Sequence, residues 1–290
     1  MYKKKINREL VDNLYELLNP CRLCPRECRV NRPAGELGNC RAGFKPKVSS
    51  YHQHFGEEYC LVGRSGSGTI FFTHCNLHCV YCQNYDISQH GIGREITIEN
   101  LARMMIELQN LGCHNINLVT PTPWVPQIVE ALSLAGQNGL KIPIVYNCGG
   151  YESVETLKML EGIIDIYMPD IKYGDNKKGE KYSKVPDYWD VVKKALKEMH
   201  RQVGDLIIEN GIAKKGLLIR HLVLPNDLAD SKKCLDFIIN ELSKNSFVNI
   251  MDQYYPTYKA NQYPELNRRI TPKEYREAIA AAKLERKDVF

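Results

Sequence analysis

From Thr69 onward the chain repeats one unit: a short apolar segment of strand character followed by a longer segment with helical spacing. Strands are predicted at Thr69–Thr73, Asn115–Val119, Ile142–Tyr146, Ile164–Met168, Leu217–Leu224 and Phe247–Met251. Helices are predicted between them, at about Ile98–Leu111, Pro126–Ala135, Ser153–Leu160, Asp187–Val203 and Asp230–Ser243. The first of these carries Leu101, Met104, Met105, Leu108 and Leu111 on one face and meets a stop at Gly112. Ser153 and Asp230 are expected N-caps, and Thr271-Pro272-Lys273-Glu274 reads as a capping box that opens a last helix. Parallel neighbours need long crossovers, so this alternation specifies an α/β fold built on a parallel sheet. The polar segment Lys172–Lys184 is expected to be an exposed loop, and Ser49–Gly68 a connector.

The first 48 residues read differently. Leu10, Leu14, Leu17 and Leu18 share one side of a short helix over Arg8–Leu18, which Asn19-Pro20 ends. Cys21 to Gly43 has neither period and is rich in Pro, Gly, Arg and Cys, as suits a module ordered by metal ligation. Two domains are therefore expected, 1–48 as an N-terminal helix with a cysteine-rich module and 49–290 as the α/β core with a C-terminal extension. A chain of 290 residues buries a core large enough to need no disulfide framework.

Eleven cysteines are an odd number, so they do not close into pairs, and seven fall into two tight groups. With no apolar leader in Met1–Leu10 and no apolar run long enough to span a bilayer, a cytoplasmic protein without a membrane partner is expected. In that compartment clustered thiols point to metal or redox chemistry. A net charge of +5 falls short of the clustered basicity of a dedicated nucleic-acid binder, though it leaves an RNA substrate open.

Cys75, Cys79 and Cys82 lie in one loop directly after the first predicted strand, where α/β folds assemble their sites. Soft thiolates select iron–sulfur clusters, zinc or Cu(I). Three local ligands leave one iron of a cubane open to a substrate. The competing readings are a structural zinc with His74 or His78 as fourth ligand, and inert packing.

The motif Cys75-Asn-Leu-His-Cys79-Val-Tyr81-Cys82 resembles the cluster motif of the radical SAM superfamily, with its aromatic residue before the last cysteine. The resemblance implies a partial (β/α)6 TIM-type barrel in which a 4Fe–4S cluster reductively cleaves S-adenosylmethionine to a 5′-deoxyadenosyl radical for hydrogen abstraction. Thr69 to Tyr258 is similar to the pyruvate formate-lyase activating enzyme-like branch, anaerobic oxidoreductases that activate glycyl-radical enzymes. Asn147-Cys-Gly-Gly-Tyr151, Met168-Pro-Asp170-Ile-Lys172, Arg220-His221 and Gln253-Tyr254 match its later strand ends. By that resemblance Tyr81, Asn147, Asp170, Lys172, Arg220 and His221 contact the cofactor, with Lys172 on the methionyl carboxylate; for Arg220-His221 the other reading is a satisfied core histidine with its neighbour facing out. Where the branch carries Gly-Gly-Glu this chain has Thr120-Pro-Thr122, so Thr120 and Thr122 are expected to accept from the methionyl amine. A flavodoxin or ferredoxin is the implied one-electron donor and a glycyl-radical enzyme the implied partner.

Cys21, Cys24, Cys28 and Cys40 supply four more thiolates, for zinc, a rubredoxin-like iron or an auxiliary iron–sulfur cluster; spacing does not separate them. His52, His54, Glu57, Glu58 and Cys60 read as a solvated connector, with a cover over the cluster as the other reading, and Cys113, Cys148 and Cys234 as small buried residues, with Cys148 placed to face the cavity. Two alternatives to protein activation stand: radical modification of a small molecule, peptide or RNA, and a noncatalytic iron–sulfur carrier or metal scaffold.

Overall fold

The computed structural model describes residues 6–283 and 285; residues 1–5 of the basic start lie outside them. Nine strands form one sheet: β1 (Lys47–His54), β2 (Ser67–Phe72), β3 (Arg94–Glu95), β4 (Ile116–Val119), β5 (Ile144–Cys148), β6 (Ile166–Pro169), β7 (Ile207–Glu209), β8 (Ile212–Leu222) and β9 (Phe247–Met251). The order is β3-β1-β2-β4-β5-β6-β8-β7, with β9 pairing the later half of β8, Leu218–Leu222. Six strands run parallel from β2 through β4, β5, β6 and β8 to β9, as the βα alternation requires. The sheet is mixed rather than wholly parallel, because β1, β3 and β7 pair antiparallel at its margins. It curves into an open, partial barrel.

All four residues of β4 and of β6 are buried. Strands covered on both faces need continuous apolar runs rather than alternation. In chain order the α-helices are α1 (Arg8–Glu16), α2 (Tyr59–Val62), α3 (Tyr85–Ser88), α4 (Ile98–Asn110), α5 (Val125–Gln137), α6 (Val154–Met159), α7 (Asn176–Ser183), α8 (Tyr188–Val203), α9 (Ser231–Phe237) and α10 (Pro272–Ala281), and α4, α5, α6, α8 and α9 cover the outer face. Thr97, Ser153 and Thr271 cap their helices through side-chain oxygens, and Glu274 completes the expected box. Asp230 makes no side-chain cap; the Asp227 carboxylate accepts from the Ser231 N–H at 3.1 Å instead.

The supposed connector is built structure. β1 pairs with β2 over Val48–His54, and α2 (Tyr59–Val62) tucks Cys60 and Leu61 against Val145, Ile166, Leu218 and Phe247 at the strands' N-terminal ends. Asn115, at the start of β4, donates to the Leu61 carbonyl at 2.8 Å and pins this plug. The bore is thus filled from below. Lys172–Lys184 is likewise not an open loop, since α7 buries Gly179, Tyr182 and Ser183. No helix among the described residues is long and apolar enough to cross a membrane.

Candidate active site

With the lower bore packed, the free volume lies at the strands' C-terminal ends. A cavity of about 500 Å3 opens there, lined from β2 round to β9. It falls within the roughly 300–1,000 Å3 of common small-molecule sites.

Cys75, Cys79 and Cys82 all face it. The loop carrying them starts at His74, which holds a left-handed φ of 66° and donates its N–H to the Ile87 carbonyl at 3.0 Å. The loop is then pinned to the end of α7: the His78 N–H donates to Ser183 O at 3.1 Å and the Val80 N–H to Tyr182 O at 2.8 Å. Each thiol has a polar neighbour suited to a thiolate. Cys75 Sγ accepts from the Leu77 N–H at 3.4 Å, Cys79 Sγ lies 3.0 Å from Ser183 Oγ, and Cys82 Sγ 3.1 Å from Ser88 Oγ. Burial pushes the thiols of Cys75 and Cys79 up, with Lys172 opposing the shift at Cys79, so ionisation of these groups is coupled to the arrival of a cationic ligand.

Among the described residues no three His, Cys, Asp or Glu side chains converge as a single ion would need. His78 bonds Gln89 and Asn39, and His74 packs beside Trp124, so neither completes a zinc site with the loop thiols. Three soft donors spread over one wall of a large cavity fit an iron–sulfur cluster rather than one metal ion.

Opposite the thiols, Lys172 Nζ lies 2.5 Å from Asp170 Oδ2. Burial is the largest influence and works against the ammonium, but Asp170, Cys79 and Tyr188 together outweigh it and hold Lys172 well above its ordinary range. The turn between β5 and β6 is fixed by Gly150, at φ 78°, where a Cβ would stand 2.2 Å from the Asp170 carbonyl. Thr120, Asn147 and Cys148 line the same wall. Thr120 holds φ 58°, a strained conformation for a β-branched residue, fixed by its N–H donating to Asn147 O at 2.9 Å. Tyr81 backs the loop, its hydroxyl 2.7 Å from that of Tyr173, which in turn lies 2.9 Å from Ser183 Oγ.

Arg220 reaches the cavity from β8. Its Nε donates to Glu58 Oε1 at 2.7 Å and its Nη2 to Glu58 Oε2 at 2.6 Å and to Glu57, while Asn249 Nδ2 donates to Glu58 Oε1 at 2.7 Å. Burial alone would raise the Glu58 carboxyl, but Arg220 and Asn249 hold it below the usual carboxylate range. Glu57, Glu58 and His54 are therefore cavity wall, not solvated connector.

Two expected cofactor contacts stand elsewhere. His221 faces away from the cavity, fully buried, with its ring nitrogens 2.8 Å from Ile171 O and 2.9 Å from Ser231 Oγ, and burial keeps it neutral. Neighbours on a strand point to opposite faces, so Arg220 and His221 cannot both line the bore. Thr122 turns behind the wall and donates to Glu152 Oε1 at 2.7 Å. Gln253 lines the cavity, whereas Tyr254 is buried against Tyr81 and donates to Leu266 O at 2.7 Å.

Glu152 is a buried carboxyl pushed up to about 7 by desolvation, against hydrogen bonds from Thr122, Tyr146 and Cys148. A raised folded-state value keeps its proton while the unfolded chain releases one above about 4.5, so this group removes stability as pH rises towards 7. The expected loss is about 3 kcal/mol across that window. Glu152→Gln should flatten the Tm profile between pH 5 and 7.5; a profile as steep as the wild type's would reject this assignment.

The N-terminal thiols also come together. Cys21, Cys24, Cys28 and Cys40 line a separate small cavity, whose far wall includes Asn76 of the Cys75 loop. The segment docks on the core through buried Leu23 and Arg32. Arg32 donates to Pro123 O at 2.8 Å and to Gly43 O at 2.6 Å, and lies over the Trp124 ring at 5.4 Å.

Comparison with known proteins agrees with this arrangement. The model of the radical SAM superfamily matches residues 69–238. An uncharacterised protein of Methanocaldococcus jannaschii is 37% identical over 283 residues, covering 94% of this chain and 76% of its own length. The pyruvate formate-lyase-activating enzyme of Clostridium pasteurianum is 27% identical over 226 residues, 74% of this chain and 86% of that enzyme. Among solved structures, HydG, a maturase of the FeFe-hydrogenase, superposes with a TM-score of 0.50 at 14% identity, over 72% of this chain and 46% of HydG. The family match spans more than half the sequence and contains the thiol loop and five of the six parallel strands: this protein belongs to the radical SAM superfamily, whose members use a 4Fe–4S cluster and S-adenosylmethionine.

Proposed function

We propose that this chain cleaves S-adenosylmethionine by one-electron reduction and directs the radical to a hydrogen atom of a second substrate. The observation that carries the reading is the placement of Cys75, Cys79 and Cys82 in one cavity with the Asp170–Lys172 pair. When bound, the cluster and S-adenosylmethionine supply cleavage of the sulfonium and the 5′-deoxyadenosyl radical. The chain's own residues do the rest. Cys75, Cys79 and Cys82 would hold the cluster through three thiolates, so that a coordination position would remain for the methionyl amine and carboxylate. Lys172, oriented by Asp170, pairs with that carboxylate; Thr120 and Asn147 supply polar contacts beside it. Arg220, held by Glu57 and Glu58, faces the nucleoside. Leu77, Val119, Leu222 and Met251 give the cavity apolar wall that limits water near a reactive carbon radical.

The test is anaerobic reconstitution with iron and sulfide, then dithionite and S-adenosylmethionine. Formation of 5′-deoxyadenosine supports the reading; its absence from cluster-loaded protein leaves only an electron carrier or scaffold. Lys172→Ala should keep the iron content but lose about 2–4 kcal/mol of S-adenosylmethionine binding, roughly 30- to 1,000-fold in Kd. Equilibrium dialysis checks this, and wild-type affinity in the variant would remove Lys172 from the site.

The receiving substrate is proposed to be a glycyl residue of a partner enzyme, on the likeness to the Clostridium pasteurianum activating enzyme. A one-electron donor of the flavodoxin or ferredoxin class completes the system. A glycine-centred EPR doublet on mixing with a candidate partner supports this; 5′-deoxyadenosine formed with no candidate acquiring a doublet points to a small molecule, peptide or RNA.

A further inference from the structure

The N-terminal cysteine cavity has features that a merely structural fold would not need. Cys28 Sγ accepts from the Asn39 N–H at 3.2 Å, as Cys75 Sγ does from the Leu77 N–H at 3.4 Å in the other thiol set. Backbone donors aimed at sulfur stabilise the thiolate, the form in which cysteine binds a metal.

A second observation comes from Arg26, which lines the cavity. Its Nε donates to the Asn76 carbonyl at 2.9 Å, while its Nη2 is buried with no acceptor. An orphaned guanidinium N–H is costly unless a ligand supplies the acceptor. The four thiols surround the cavity without converging to the spacing one ion would bridge, and the same holds for the loop thiols. A zinc ion on these sulfurs would require their collapse inward and would bring no acceptor of its own. A cubane brings four irons to separated thiolates and bridging sulfides to the arginine.

We infer that Cys21, Cys24, Cys28 and Cys40 bind a second, redox-active four-iron cluster, which passes an electron to the cluster on Cys75, Cys79 and Cys82. Two bridges join the thiol sets. One runs along the chain from Cys24 to Arg26, whose Nε donates to the carbonyl of Asn76, next to Cys75; the other from Cys28 through Asn39 to His78, at 2.6 Å, between Cys75 and Cys79. In the transfer the second cluster goes from its 1+ to its 2+ state as the first goes from 2+ to 1+. A flavodoxin or ferredoxin then returns one electron to the second. The transfer rests on the function proposed above; the binding site does not.

Full-length protein reconstituted anaerobically should contain about eight irons and eight acid-labile sulfides per chain. The variant Cys75→Ala/Cys79→Ala/Cys82→Ala should keep about four of each, with the Mössbauer spectrum of a cubane. One zinc, or one iron without labile sulfide, in that variant overturns the site and leaves the S-adenosylmethionine reading untouched. Arg26→Gln should shift the second cluster's midpoint potential to more negative values, because a donor and a positive charge are lost. An unmoved potential overturns the role given to Arg26. Cys24→Ala/Cys40→Ala should keep the other four irons and the EPR change on adding S-adenosylmethionine, but slow reduction of that cluster by reduced flavodoxin or ferredoxin at least tenfold. An unchanged rate overturns the transfer. If the double variant does not fold, slower reduction in Arg26→Gln, set against dithionite as the reductant, decides the same point.

Discussion

Replacing Cys79 by alanine is expected to strip the loop of its cluster and to bring 5′-deoxyadenosine formation down by about 10³-fold or more, to the level of protein-free controls. Three thiolates are already one fewer than a cubane ordinarily takes, so no ligand in the loop is spare. Cys79 is also the thiol tied to the support behind the loop, through Ser183 to Tyr173 and Tyr81. Cys79→Ser separates the two roles, since it keeps a polar group beside Ser183 but offers a hard oxygen to a soft metal. Both variants should lose the cluster, and only the alanine variant should also loosen the loop, read as faster amide exchange at His78 and Val80. A cluster retained at wild-type occupancy in Cys79→Ala would remove this residue from the ligand set.

Arg220→Ala should be the most destabilising change on the cavity wall. The guanidinium is 15% exposed and the Glu57 and Glu58 side chains only 6% and 4%, so its loss strands two carboxylates away from water. Breaking a buried pair in this way costs about 3–5 kcal/mol. In a chain of this size that corresponds to a fall in Tm of about 6–20 °C. The pH dependence also changes sign. In the wild type the lowered Glu58 value adds stability above the ordinary carboxylate range, and this stability is lost as the group protonates in acid. In the variant burial alone acts on the stranded Glu58 carboxyl and raises it, so the variant should be less impaired at pH 5 than at pH 8. Adding Glu57→Gln and Glu58→Gln should recover much of the loss; a triple variant as unstable as the single one would show that packing by Arg220, not charge, was at stake. Arg220→Lys should recover only part, because one ammonium cannot reproduce the two-point contact.

The six parallel strands were legible because each is a compact apolar run, and the helices between them because their stripes and caps agree. The thiol loop was legible from spacing alone. What escaped depended on contacts remote in sequence. β1 carries His52, Gln53 and His54 and shows no clean alternation; it is a strand because β2 is beside it. α7 was hidden by Gly179 and its lysines, although Asp175 caps it, accepting from the N–H groups of Lys177 and Lys178. Gly179 is there for packing, since a Cβ would stand 2.4 Å from that of Tyr188. Ser183, Ser88 and Asn249 left no local signal, because a hydroxyl or amide becomes part of a site only when the fold delivers a partner. The adjacent Glu57 and Glu58 left one: paired carboxylates just before a buried turn require a cation, and Arg220 was available on an apolar strand.

The chain has two tryptophans, and their surroundings differ in a way that can be read with light. Trp124 is buried, donates to the Thr73 carbonyl at 2.8 Å just before the thiol loop, and is covered by Arg32 of the N-terminal segment. Trp189 sits on α8 against Phe237, on the helical side of the sheet. Iron–sulfur chromophores absorb where indole emits, so filling either thiol set dims Trp124, while release of the N-terminal segment shifts its emission to the red. The intrinsic fluorescence of this protein therefore reports loading as quenching and undocking as a change of colour.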